Sequence, residues 1–137
     1  MPRPSIVLDT CALRDTKFTN WLKGYIGDIL IPPTVYMEIC RQHKEKNHSI
    51  EELDEWLNAL SIKVLRFDKN NARIAAELMA ERKDAQCEIC KKIDWVDTIV
   101  ASYYNAGDFI ITNDKTGFPT SGDFGWKFLT TDEFMSR

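Results

Sequence analysis

An α/β sandwich with a mostly parallel central sheet is the fold class this sequence predicts, and three observations predict it. Short apolar runs of strand length recur along the chain, and longer stretches of helical period separate them. The first run is apolar throughout rather than alternating, as a strand covered on both faces is. Strands that alternate with helices pair in parallel, because each crossover returns the chain to the same edge of the sheet. The 137 residues fit one domain, residues 1–137, with no internal repeat or linker.

The elements follow in order. Ser5-Ile6-Val7-Leu8 is a buried strand ending at Asp9. A helix is expected over residues 12–23, with Phe18, Trp21 and Leu22 at helical spacing. Asp28-Ile29-Leu30-Ile31 is the second strand, punctuated by Pro32-Pro33, and Thr34 caps a helix reaching about residue 46. Ser49-Ile50-Glu51-Glu52 has capping-box spacing and opens a helix with Leu53, Trp56, Leu57 and Leu60 on one stripe. Residues 62–67 alternate as a third strand, and Asp68 caps a helix carrying Ala72, Ala75, Ala76, Met79 and Ala80. Beyond a polar segment, a helix spans residues 94–106 with Val96, Ile99, Val100 and Tyr103 inward, and Gly107 stops it. Asp108-Phe109-Ile110-Ile111-Thr112 is the fourth strand. A loop over residues 113–125 leads to a last strand at 126–129, and Thr131 caps a terminal helix.

Composition narrows the function classes. Hydrophobic residues make up 44% and charged residues 28%, which excludes disordered and low-complexity chains. No apolar run reaches the roughly 18 residues of a membrane helix, and mean hydropathy is −0.34. Met1-Pro2-Arg3-Pro4 opens no signal peptide, so the expected compartment is the cytoplasm, with no membrane association. There Cys11, Cys40, Cys87 and Cys90 stay reduced. A net charge of −3 argues against a generic polyanion binder. It leaves room for nucleic acid if bound metal neutralises some of the acids.

In open parallel sheets, ligands sit beyond the carboxyl ends of the strands. Asp9 directly follows the first apolar run, and an acid there needs a partner or a metal. Asp114 follows the fourth run after Thr112-Asn113. Asp97 falls in the first turn of the helix before that run, and Glu38 in the first turn or so of the helix after the second. Helix N-termini help hold both ionised. Each position also has an ordinary reading: Asp94 and Asp97 as first-turn helix acids, Glu38 as a solvated residue, Asp114 as turn chemistry. Their joint placement at one edge points to a site. Hard oxygen donors select Mg²⁺ or Mn²⁺ over zinc or copper. His43 and His48 lie outside these acidic motifs.

Four segments, Ile6-Val7-Leu8-Asp9-Thr10, Ile31-Pro32-Pro33-Thr34-Val35-Tyr36-Met37-Glu38-Ile39, Asp97-Thr98-Ile99-Val100-Ala101 and Ile110-Ile111-Thr112-Asn113-Asp114, resemble in this order the PIN-domain family, most closely the small VapC-type toxins. The resemblance spans nearly the whole chain. It implies an α/β/α sandwich and Mg²⁺- or Mn²⁺-dependent endoribonuclease activity. It also implies that Asp9, Glu38, Asp97 and Asp114 are a catalytic, metal-binding quartet, with Thr10 and Thr112 as supporting hydroxyls. Many such toxins continue with a further Asp-Phe where this chain has Gly117-Phe118, so a fifth acid is not carried over. Asp94 is either an extra supporting acid or a helix N-cap. The implied partners are an RNA substrate, an antitoxin protein and a second copy in a homodimer. The rival readings are an RNA-processing PIN nuclease without antitoxin and a non-catalytic scaffold that binds RNA or protein. A phosphatase with a strand-end aspartate would want a second acid where Cys11 stands.

Cys40-Arg41-Gln42-His43 and Cys87-Glu88-Ile89-Cys90 have the paired spacings of a zinc site. The pairs lie far apart and Cys40 also reads as a core thiol, so substoichiometric zinc is expected. Arg41, Lys44 and Lys46, then Lys91-Lys92 and Lys115, flank the acids as phosphate contacts or as ordinary solvated charge. Trp21, Trp56 and Trp95 are read as core.

Overall fold

Ile6, Val7 and Leu8 are fully buried and form β1 (Ile6–Leu8), the middle strand of the sheet. The computed structural model describes residues 3–84, 95–113 and 125–137. The other strands are β2 (Ile29–Ile31), β3 (Ile62–Val64), β4 (Phe109–Ile111) and β5 (Phe128–Leu129), in the order β3-β2-β1-β4-β5. Every neighbouring pair runs parallel, with Val7 beside Leu30 and Leu8 beside Ile111. All strand carboxyl ends therefore share one edge. The chain works outward from β1 to β2 and β3, then crosses to β4 and β5. The switch point lies between β1 and β4.

The helices are α1 (Thr10–Arg14), α2 (Thr16–Leu22), α3 (Pro33–Glu45), α4 (Ile50–Ala59), α5 (Lys69–Asp84), α6 (Trp95–Ala101) and α7 (Thr131–Met135). They flank the sheet as an α/β/α sandwich. Phe18, Leu22, Val35, Leu53 and Phe128 are almost wholly buried among them. Burying side chains of this size contributes about 1.5–3 kcal/mol each. Tyr36 Oη donates to Asp54 Oδ1 (2.7 Å), tying α3 to α4. That carboxylate is the main reason the Tyr36 phenol is pushed well above its usual range.

Several boundaries differ from the sequence reading. The helix expected over residues 12–23 is two, because Asp15 takes an extended conformation, ends α1 and caps α2 through Phe18 N–H (3.1 Å). Pro32 is the N-cap of α3 and Pro33 its first residue, so Thr34 lies inside the helix with its hydroxyl buried and unpartnered. Ser49 caps α4 as expected, accepting from Glu52 N–H (3.1 Å), and Asp68 receives Asn71 N–H (2.9 Å) at the head of α5. The inward side of α5 is Ile74, Ala75 and Leu78; Ala72, Ala76 and Ala80 are exposed. Helix α6 ends at Ala101, short of residue 106. Gly107 is there for a close approach, since a Cβ would lie 3.0 Å from the Ser5 carbonyl oxygen. The third strand, at the sheet edge, stops at Val64, after which Leu65 N–H makes a last bond to the Ile31 carbonyl (2.8 Å). A 3₁₀ turn (Gly125–Lys127) takes the front of the expected last strand. Thr130, not Thr131, caps α7, in a capping box with Glu133. Trp56 packs against the core, whereas Trp21 is 36% exposed and leans on Phe18, Tyr25 and Phe134. The Trp95 side chain lies outside what is described.

Candidate functional site at the switch point

Because β1 is the middle strand, the residue that follows it is still largely covered. Asp9 is only 7% exposed. Its backbone N–H continues the ladder to the Ile111 carbonyl (3.0 Å), while its carboxylate turns to cap α1, Oδ1 accepting from Thr10 N–H (2.8 Å). Oδ2 accepts from the Thr112 hydroxyl (2.9 Å), across the gap between β1 and β4. Cys11 Sγ lies 3.6 Å from the same oxygen and 3.3 Å from Thr112 Oγ1, and it accepts Asn113 N–H (3.1 Å). Thr112 is itself fixed by its backbone N–H to the Leu129 carbonyl (2.9 Å).

This network continues outward. Asn113 Oδ1 accepts from the backbone N–H (2.9 Å) and hydroxyl (3.1 Å) of Thr131, and that hydroxyl also donates to Asp15 Oδ2 (2.7 Å). The Thr131 hydroxyl first, then Phe18 N–H, hold the Asp15 carboxyl below its ordinary value. Residue 113, immediately before Asp114, is thereby pinned from both sides. Sequence reasoning missed this clamp of Cys11, Asp15, Asn113 and Thr131. Asp15 did carry a signal, being an acid three residues before Phe18, as an N-cap is to the N–H it receives.

The remaining sequence candidates are placed as follows. Thr10 is the first residue of α1, buried, with its hydroxyl unpartnered. Glu38 is half-buried on the second turn of α3, past the reach of the helix N-terminus, so the expected dipole support does not hold for it. Asp97 stands in the first turn of α6, and its side chain lies outside what is described. The end of α6 meets the residues after β3, with Asn71 Nδ2 donating to the Ser102 carbonyl (3.4 Å) and Tyr103 Oη to the Arg66 carbonyl (2.7 Å). Helices α3 and α6, which bear Glu38 and Asp97, pack together. Asp94, Asp114, Cys87, Cys90, Lys91, Lys92, Lys115, Gly117 and Phe118 lie outside the described residues.

The donors present suit a hard divalent cation. They are a buried carboxylate and hydroxyl oxygens, and the unmet Thr10 hydroxyl is a polar atom at the same edge. Among the described residues, no three His, Cys, Asp or Glu side chains are grouped closely enough to hold a metal. Arg41 pairs with Glu45 (3.5 Å) on an exposed face. No helix among the described residues is long and apolar enough to cross a membrane.

A buried acid at the switch point of an all-parallel sheet defines a class: α/β proteins that act on ligands beyond the strands' carboxyl ends. Within that class the assignment is specific. The PIN domain family model matches residues 6–119, and the chain belongs to that family, whose members are generally nucleases. Curated proteins give no match to the chain.

Proposed function

We propose that this protein is a divalent-metal-dependent endoribonuclease, the toxin of a toxin–antitoxin pair. Family membership supports nuclease chemistry, and the observation that carries the reading is Asp9, buried and hydrogen-bonded to Thr112 at the switch point. Asp9, Glu38, Asp97 and Asp114 are the proposed ligands for Mg²⁺ or Mn²⁺. When bound, the metal would supply Lewis-acid charge for the scissile phosphate and an activated water. Asp9 stays in place through Thr10 N–H and the Thr112 hydroxyl, so its oxygens need no reorganisation as charge builds up. A carboxylate of the quartet that is not committed to metal orients the attacking water and takes its proton. Thr10 supplies a neutral hydroxyl beside the carboxylates, and Asp94 either supports the ligands or caps α6.

The test is cleavage of single-stranded RNA by the purified protein with Mg²⁺ or Mn²⁺. EDTA is expected to abolish it, and undiminished cleavage in excess chelator would end the metal reading. Asp9→Asn is expected to lower the rate at least about a hundredfold, the scale of removing one electrostatic stabiliser of a transition state. Asp94→Asn is expected to cost far less. The toxin reading further expects a homodimer by light scattering and a small antitoxin gene next to this one. A strict monomer without such a neighbour favours an RNA-processing nuclease of the same fold.

A further inference from the structure

Between α1, α3 and α4 lies a groove of about 480 Å³, whose walls include Arg14, Gln42, His43, Lys46 and Trp56. It starts one helical turn beyond Glu38: Gln42 stands four residues later on the same face of α3 and accepts from Arg14 Nε (3.4 Å). Arg14 is the last residue of α1, whose N-cap is Asp9, so the two are separated by the rise of five helical residues, about 7.5 Å. The groove thus adjoins the acidic edge.

Its chemistry differs from the chain average. Among the described residues that line it, Arg14 and Lys46 stand with one carboxylate, Glu52, which His48 approaches (Nδ1 to Oε2, 3.7 Å), in a chain of net charge −3. Leu13, Ile39 and Trp56 make the floor apolar. His43 contributes a buried ring nitrogen, Nδ1, without a hydrogen-bond partner. Cations above an aromatic floor suit a nucleotide, with the phosphate on Arg and Lys and the base against the ring. The volume is within the roughly 300–1,000 Å³ of small-ligand sites.

We propose that this groove is an RNA subsite holding a nucleotide that flanks the scissile bond, its phosphate on Arg14 and Lys46 and its base against Trp56. Gln42, on the groove wall, is the group placed to read the base edge. The proposal rests on the nuclease reading of the acidic edge and adds the side on which substrate extends. It also sorts the basic residues: Arg14 and Lys46 contact RNA, while Arg41 is engaged by Glu45.

The test uses a fluorescein-labelled 12-nucleotide single-stranded RNA of mixed sequence, bound to full-length Asp9→Asn protein in EDTA and read by anisotropy. Adding Arg14→Ala and Lys46→Ala is expected to raise Kd about tenfold or more and to flatten the salt dependence by about 0.7 for each phosphate no longer neutralised. Lys63→Ala, an exposed cation on β3, is expected to change Kd less than twofold. Trp56→Leu is expected to weaken binding severalfold without changing the salt slope, and Trp56→Phe to restore most of it. Unchanged affinity in the Arg14/Lys46 variant, or an equal loss with Lys63→Ala, overturns the subsite and leaves the groove to a protein partner. Wild-type cleavage in Mn²⁺ is scored separately. RNA cleavage with groove-independent binding refutes the subsite alone. Groove-dependent binding without any cleavage refutes the nuclease reading and upholds an RNA-binding groove.

Discussion

Asp9 and Thr112 meet only because β1 and β4 are neighbours, and their 2.9 Å bond joins residues 103 apart in sequence. A buried carboxylate that loses a donor keeps its desolvation cost, and the loss is about 1–3 kcal/mol. Thr112→Val is therefore expected to destabilise the protein by that amount in urea unfolding and to lower cleavage by letting Asp9 move. Thr112→Ser keeps the hydroxyl and is expected to recover most of both. A Val variant as stable as wild type would mean that the hydroxyl does not hold Asp9. Asp9 itself is legible in the sequence, as an acid that interrupts a buried apolar run. Cys11 beside it, and Asn113, whose N–H that thiol accepts, are not, because a thiol joining a helix to the residue after Thr112 leaves no periodic trace.

The break between α1 and α2 shows what tertiary structure adds to local pattern. Phe18, Trp21 and Leu22 keep helical period on α2 alone, beyond the joint, and the sequence reading carries that helix back to residue 12. Asp15 divides it, held by a Thr131 hydroxyl 116 residues away. The direction of the pH effect follows from the lowered Asp15 value. A carboxyl whose folded pKa is depressed contributes stability that is present above its ordinary value of 3.8 and lost as pH falls through the folded one. Thr131→Val is thus expected to cost stability at pH 7, about 0.5–1 kcal/mol once solvent screening of the exposed Asp15 carboxylate is allowed for. That cost should shrink in urea titrations taken progressively below pH 3.8. A pH-independent cost would assign the effect to Asn113 instead. The neighbouring cap was readable: Glu133 sits three residues after Thr130, and that spacing selects Thr130 over Thr131. For α5 the alanines drew attention from Ile74 and Leu78, whose larger side chains decide the inward face.

At the scale of the whole molecule, the strands are legible as apolar runs, but their order is not, since pairing between distant segments sets it. That order places Asp9 beside Thr112 and puts α3 and α6 on the same side of the sheet. If the quartet converges there, the metal-free fold carries mutual repulsion that a cation relieves. Ligand linkage then fixes the size of the effect: at ten times its Kd, Mn²⁺ stabilises the folded chain by about 1.4 kcal/mol. For a domain of this length, that corresponds to a Tm rise of about 5 °C. Metal-free Asp9→Asn is expected to be as stable as wild type or more so, one source of repulsion being gone, and to lose most of the Mn²⁺ shift. Thermal unfolding of both proteins, with Mn²⁺ and with EDTA, reads all of this at once. An equal Mn²⁺ shift in both would move the ion away from Asp9. A large loss of Tm in metal-free Asp9→Asn would make the carboxylate a structural cap of α1, with its hydrogen bonds to Thr10 and Thr112 serving the fold rather than the chemistry.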